Sequence, residues 1–171
     1  MQRVNGTPYY LWDRPIIIEG ADGSGKSTLI KQQFPGAIHA GGPPKTSEEL
    51  LARLDLPVPG NVYDRWTAIS EQIYGPIIHG RNLLSTWYFD QAIMDKRPMF
   101  IYCRPPTHVM KMNLKAQIEK PHKNPEFIEQ VCMKADEIRA AYDDLMLIDL
   151  PTRLGAFVLT YDYTGGIYND I

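Results

Sequence analysis

Gly20-Ala21-Asp22-Gly23-Ser24-Gly25-Lys26-Ser27-Thr28 carries the most specific chemistry in the chain. It fits G-x-x-x-x-G-K-[ST], after a β-branched run and before a helix-forming stretch. Each residue type meets a requirement of polyphosphate binding. Gly20, Gly23 and Gly25 let backbone N–H groups turn inward on a phosphate with no Cβ in the way. A helix starting at Lys26 adds unpaired donors and the positive end of its dipole. Lys26 can reach β- and γ-phosphates, and the Ser27 hydroxyl can ligate Mg²⁺. The loop, with Asp22, Ser24 and Thr28, is therefore the candidate triphosphate site.

Other residues fall where such a site needs them. Asp64 and Arg65 follow Val62-Tyr63, a short strand, and open α/β sheets bind ligands at the carboxyl ends of their strands. A carboxylate at Asp64 can hold Mg²⁺ through water, and Arg65 offers a planar fork of donors for a phosphate. Trp66 and Tyr74 are candidates to stack on a planar ring. Arg104 leaves another strand toward the phosphates. A polar interruption, Glu119-Lys120-Pro121-His122-Lys123, suggests a small lid over about 111–125, with Lys120 and Lys123 as its cations. Tyr161-Asp162-Tyr163 ends the last strand beside the expected nucleotide base. His39, His79 and His108 show no metal-ligand spacing with one another or with the cysteines.

The elements that must position these groups alternate between strand and helix, the pattern of a mainly parallel sheet. Strands are expected at 15–19, 37–40, 62–63, 99–103 and 156–161. Helices are expected at 26–33, 47–54, 68–74, 83–96 and from about Pro105-Pro106 through 118. Thr46 and Glu49 form a capping box, Gly75-Pro76 should break the third helix, and Asn124-Pro125 should start another. Ile128, Val131, Ala135, Ile138, Tyr142 and Leu145 recur at helical spacing as the buried stripe of one long helix. The result is a three-layer α/β/α sandwich around a five-stranded parallel sheet and, with Gly20 to Thr28, a P-loop fold, in one domain spanning 1–171. The first fourteen residues fit no element.

Composition sets the outer bounds. With 171 residues, 44% of them hydrophobic, the chain suits one domain with a substantial core. Eighteen Lys and Arg against twenty Asp and Glu give a net charge of −2, which argues against a stable nucleic-acid complex. No apolar run is long enough to span a bilayer, so no membrane partner is expected. Cys103 and Cys132 read as reduced thiols of a cytoplasmic protein.

The segment Ile18 to Thr28 resembles the phosphate loop of the thymidylate kinase family, E-G-x-D-G-x-G-K-[ST]. Asp64-Arg65, followed by Ser70 and Tyr74, is similar to that family's third-strand exit, with one residue more before the serine. Phe100-Ile101-Tyr102-Cys103-Arg104-Pro105-Pro106 resembles the fourth-strand exit of thymidylate and deoxynucleoside kinases. Gly41-Gly42-Pro43-Pro44-Lys45 and Ile73-Tyr74-Gly75-Pro76 look like small kinase-like proteins of bacteriophages, which implies a host-cytoplasmic setting.

This resemblance implies ATP and Mg²⁺, a (deoxy)nucleoside monophosphate acceptor and, since thymidylate kinases are commonly dimers, a homodimer. It implies that Asp22 contacts the acceptor sugar, while Arg65, Trp66 and Tyr74 belong to the acceptor site. Lys26, Asp64, Arg65 and Arg104 are the expected catalytic set. The glutamate that deoxynucleoside kinases carry after the second strand is missing, which favours a monophosphate over a hydroxyl. The arginine and glutamate that thymidylate kinases keep there are missing too, which weakens thymine specificity; His39 or Lys45 could take part of the arginine's role. The alternatives are a kinase acting on a hydroxyl of a deoxynucleoside or DNA, or a non-catalytic nucleotide-binding switch.

Overall fold

The computed structural model describes residues 3–4, 7–8, 13–120 and 124–168, of which 3–4, 7–8 and 166–168 are described by backbone alone. A small antiparallel pair, β1 (Arg3–Val4) and β2 (Thr7–Pro8), lies within the stretch where the sequence suggested no element.

The main sheet is six-stranded, in the order β4-β5-β3-β6-β7-β8. Its members are β3 (Ile16–Glu19), β4 (Ile38–His39), β5 (Val62–Asp64), β6 (Met99–Cys103), β7 (Phe157–Asp162) and β8 (Gly166–Tyr168). The first five in chain order pair in parallel, as expected, and β8 adds an antiparallel edge beside β7. Central position explains why β3 and β6 read as unbroken apolar runs: both faces are covered.

Alternation along the strands assigns each face its layer. Ile16, Ile18, Val62, Met99, Ile101 and Cys103 pack against Leu29, Ile30 and Phe34 of and just beyond α1 (Lys26–Gln33). Ile17, Tyr63, Phe100, Tyr102 and Val158 face a larger cluster on the other side. That cluster draws on α2 (Ser47–Leu54), α3 (Thr67–Tyr74), α4 (Thr86–Lys96), α5 (Thr107–Ile118), α6 (Pro125–Met133) and α7 (Ala135–Asp143). The sandwich thus has its three layers, unequal in thickness.

Local signals account for most boundaries. Thr46 accepts the Glu49 N–H at 3.1 Å, while the Glu49 carboxylate reaches the Lys45 N–H, one residue earlier than an ideal capping box. Asn124 caps α6 through the Phe127 N–H, with Pro125 in the first turn.

One expectation holds in part and another fails. α3 ends at Tyr74, before Gly75-Pro76 as expected, but the chain stays helical through a wide π-type turn, Gly75–His79, to left-handed Gly80. The long helix is divided at Lys134, and a second π-type segment, Asp144–Asp149, leads into α8 (Leu150–Leu154). Widening shifts the buried stripe, so Met146 and Leu150 are fully buried where Leu145 was expected and is only partly so. Among the described residues no helix is long and apolar enough to cross a membrane.

Candidate active site

The phosphate loop leaves β3 at its carboxyl end through Gly20, whose φ is +152°. A Cβ there would lie 2.7 Å from the Cys103 carbonyl oxygen, so β6 packs too closely for any side chain. Gly23 and Gly25 have φ of +81° and +86°, in the left-handed region that favours glycine. Gly25 caps α1 without a side chain, which leaves the N–H groups of the first turn to a ligand. Lys26 is buried; that burial, followed by the charge of Arg65, lowers its pKa. Ser27 and Thr28 are exposed on a cleft of about 530 Å³ that the rest of the loop also lines.

Asp64 and Arg65 stand one strand away. Asp64 is in register with Ile18 of β3 and His39 of β4, and its Oδ2 lies 2.7 Å from His39 Nδ1. Arg65 holds a left-handed φ of 68°, a conformation worth about 1–3 kcal/mol of strain outside glycine. Its surroundings enforce that turn. The Arg65 N–H donates to the Ile18 carbonyl at 3.0 Å, and Nη2 donates to Asp22 Oδ1 at 2.8 Å. The guanidinium lies 5.4 Å from the centre of the Tyr74 ring. Burial opposes its charge, but Asp22, Tyr74, Tyr142 and Glu19 together outweigh burial and the pKa rises well above the ordinary value. The Tyr74 hydroxyl accepts the Asp22 backbone N–H at 3.1 Å, so one side chain braces both Asp22 and Arg65.

A second cavity of about 210 Å³ opens on this side. Asp22, Arg65 and Tyr74 line it with the 40–44 loop, the Thr67-to-Glu71 face of α3, His79 and Phe127. Asp22 lines both cavities, which therefore meet at that residue.

Two sequence-assigned residues lie elsewhere, and the lid lysines divide. Trp66 is 2% exposed in the core and does not line the second cavity; aromatic bulk there packs the α3 entry. Arg104 donates to both carboxylate oxygens of Asp143, at 2.8 and 3.1 Å, and is not among the residues lining either cavity. Lys120 is exposed on the edge of the phosphate cleft, whereas Lys123 lies outside the described residues.

Other groups carry the geometry without having been singled out. Glu19 is fully buried, accepting the Trp66 N–H at 2.7 Å and the Tyr142 hydroxyl at 3.2 Å. Burial pushes its pKa up to about 7, against the pull of Arg65, the Trp66 N–H and Lys26. Asn113 on α5 donates to the Gly23 carbonyl at 2.9 Å and to the Tyr163 hydroxyl at 3.0 Å. Tyr163 lies against Gly25 itself. The i, i+4 spacing of Asn113 and Gln117 was the available signal, since both line the cleft from α5.

Among the described residues, no three His, Cys, Asp or Glu side chains converge to hold a metal ion. Mg²⁺ on a nucleotide needs only one or two protein oxygens beside the phosphates; Ser27 offers a hydroxyl on the cleft, while Asp64 lines neither cavity and would act only through water.

A strand, a glycine-rich loop with Lys26 and Ser27 opening a helix, and a parallel sheet with this strand at its centre define the P-loop nucleotide-kinase fold. No protein-family model matches the chain, and no curated protein matches it. Solved structures do. The YorR protein of Bacillus subtilis, in complex with phosphorylated GDP, is similar at a TM-score of 0.58 and 18% identity, over 89% of this chain and 87% of that one. The deoxyadenosine kinase of M. mycoides with bound dCTP is similar at a TM-score of 0.49 and 16% identity, over 86% of this chain and 89% of that one.

Proposed function

We infer that this chain transfers the γ-phosphoryl group of ATP to a (deoxy)nucleoside monophosphate, giving the diphosphate and ADP. One observation carries the reading: a phosphate-loop cleft and a second cavity meet at Asp22, with Lys26 on one side and Arg65 on the other. An acceptor phosphate in the second cavity would be held by the Arg65 fork beside the incoming γ-phosphate. Its oxygen then attacks the γ-phosphorus while the bond to the β–γ bridging oxygen breaks. Lys26 neutralises charge that develops on the phosphoryl oxygens, and the open N–H groups of α1 hold the β-phosphate. Ser27 and, through water, Asp64 would hold Mg²⁺, which screens the phosphate charges when bound. Asp22 fixes Arg65 and reaches the acceptor sugar. Arg104, engaged with Asp143, has a structural part in this reading. Lys120, exposed at the edge of the phosphate-loop cleft, adds a cation beside the donor. The similar YorR structure holds a phosphorylated GDP, a ligand of the same chemical class.

The 2.7 Å contact of His39 with Asp64 favours a second reading, in which Asp64 is the general base for a hydroxyl acceptor. ADP release with ATP and Mg²⁺ separates the two. The panel comprises ribo- and deoxynucleoside monophosphates, the matching nucleosides and single-stranded DNA, with Lys26→Ala as control. Turnover of monophosphates, lost in Lys26→Ala, is expected. Activity only on nucleosides or DNA would establish the hydroxyl reading. Nucleotide binding without turnover of any acceptor would leave a switch protein.

A further inference from the structure

The acceptor cavity has one charged wall group that phosphoryl transfer does not use. Glu71 lines it from α3 and is only 4% exposed. Nearby lining from Pro43, Pro44, Tyr74 and Phe127 is largely apolar, and a carboxylate on such a wall is costly unless paired. Arg81 pairs it, donating from Nε to Oε1 at 2.8 Å and from Nη2 to Oε2 at 3.3 Å. Nη2 also donates to the Pro44 carbonyl at 2.7 Å, which ties the opposite wall to the same guanidinium. Glu71 is among the residues lining the cavity and Arg81 is not, so of the pair it is Glu71 that a ligand there can approach. Gly75 leaves room for the pair, since a Cβ there would lie 3.0 Å from both Glu71 Oε1 and the Arg81 carbonyl.

A carboxylate has about four lone-pair directions, and this two-point pairing occupies one on each oxygen. Those that remain can only accept. We propose that Glu71 is a specificity-determining residue, selecting acceptors whose base carries an exocyclic amino group and disfavouring thymine. The proposal rests on the assignment of this cavity to the acceptor. Adenine, cytosine and guanine each present an amino donor, whereas thymine flanks its single ring N–H with carbonyl oxygens. Turned toward Glu71, those oxygens meet a fixed negative charge. The base that the resemblance to thymidylate kinases would favour is therefore the disfavoured one.

Calorimetric titration of the full chain with dAMP, dCMP, dGMP, dTMP and the matching deoxynucleosides tests this directly. Amino-bearing ligands are expected to bind at least about tenfold more tightly than their thymine counterparts, the scale of one unmatched buried acceptor. Glu71→Gln, whose amide can donate as well as accept, should narrow the gap by strengthening thymine binding. If that variant fails to fold, the ranking of the unaltered chain decides. Equal affinities, a thymine preference or no binding overturns the proposal. Thymine-first turnover among monophosphates would remove it and leave the kinase reading. Amino-first binding, with only nucleosides phosphorylated, would remove the monophosphate reading and leave this one.

Discussion

Glu19 shows how one residue ties the chemistry to the fold. It ends the central strand and, through its two hydrogen bonds, joins β3 to the start of α3 and to Tyr142 of α7. Burial lifts its pKa from 4.5 to about 7, so between those values the folded chain binds more protons than the unfolded one. Stability from this group is therefore fully present below about 4.5 and is lost as pH rises toward about 7. At roughly 1.4 kcal/mol per pH unit, the whole effect amounts to a few kcal/mol. Asp143 acts in the opposite sense at acid pH, because burial raises its pKa but hydrogen bonds from Arg104 and Tyr102, with the charges of Arg104 and Arg139, together lower it further. Comparison with Glu19→Gln cancels that background. Urea midpoints of the unaltered chain should fall from about pH 5 to 7.5 relative to those of Glu19→Gln. Parallel pH profiles for the two chains would show that Glu19 does not titrate in this way. The glutamate was visible within the phosphate-loop resemblance, but its burial depends on α7, more than a hundred residues along the chain.

At the scale of elements, strong local signals located what sits in the sheet. Continuous apolar runs mark β3 and β6, and Asn124-Pro125 marks the start of α6. Gly75-Pro76 marks the end of α3 but not the π-type turn that follows, because proline is tolerated in a first turn. Contacts between elements left no local trace. Gly25 reads as a loop glycine, yet a Cβ on it would lie 2.4 Å from the Tyr163 ring, which the β7–β8 turn brings over the loop. Gly25→Ala should therefore fail for two separable reasons. The left-handed φ of +86° costs about 1–2 kcal/mol, and the ring clash adds to it. Adding Tyr163→Ala to that variant should recover the steric part and leave the backbone part, a non-additivity that urea titration of the four chains measures. Strict additivity would mean that the two residues do not touch in solution.

Across the whole molecule, the donor side was more legible than the acceptor side. A triphosphate needs a loop that is contiguous in sequence, so Gly20 to Thr28 could be read in one pass. The acceptor cavity gathers Asp22, Arg65, the 40–44 loop, Glu71, His79 and Phe127 from separate crossovers, and only the folded sheet brings them together. That is why Arg65 and Tyr74 could be assigned while Glu71 could not, and why Trp66, one position after Arg65, belongs to the core instead. If the two cavities are halves of one reaction site, a ligand spanning both gains an effective-concentration advantage. Adenosine joined through five phosphates to a deoxynucleoside is such a ligand. It should bind about 10²–10⁴ times more tightly than either nucleotide alone, provided that its phosphate chain can follow the path past Asp22. Arg65→Ala should remove most of this advantage while leaving ATP affinity largely unchanged, because Arg65 lines the acceptor cavity and not the phosphate cleft. Affinity no greater than that of ATP would mean that the second half never enters the cavity, and the acceptor would then have to approach the γ-phosphate by another route.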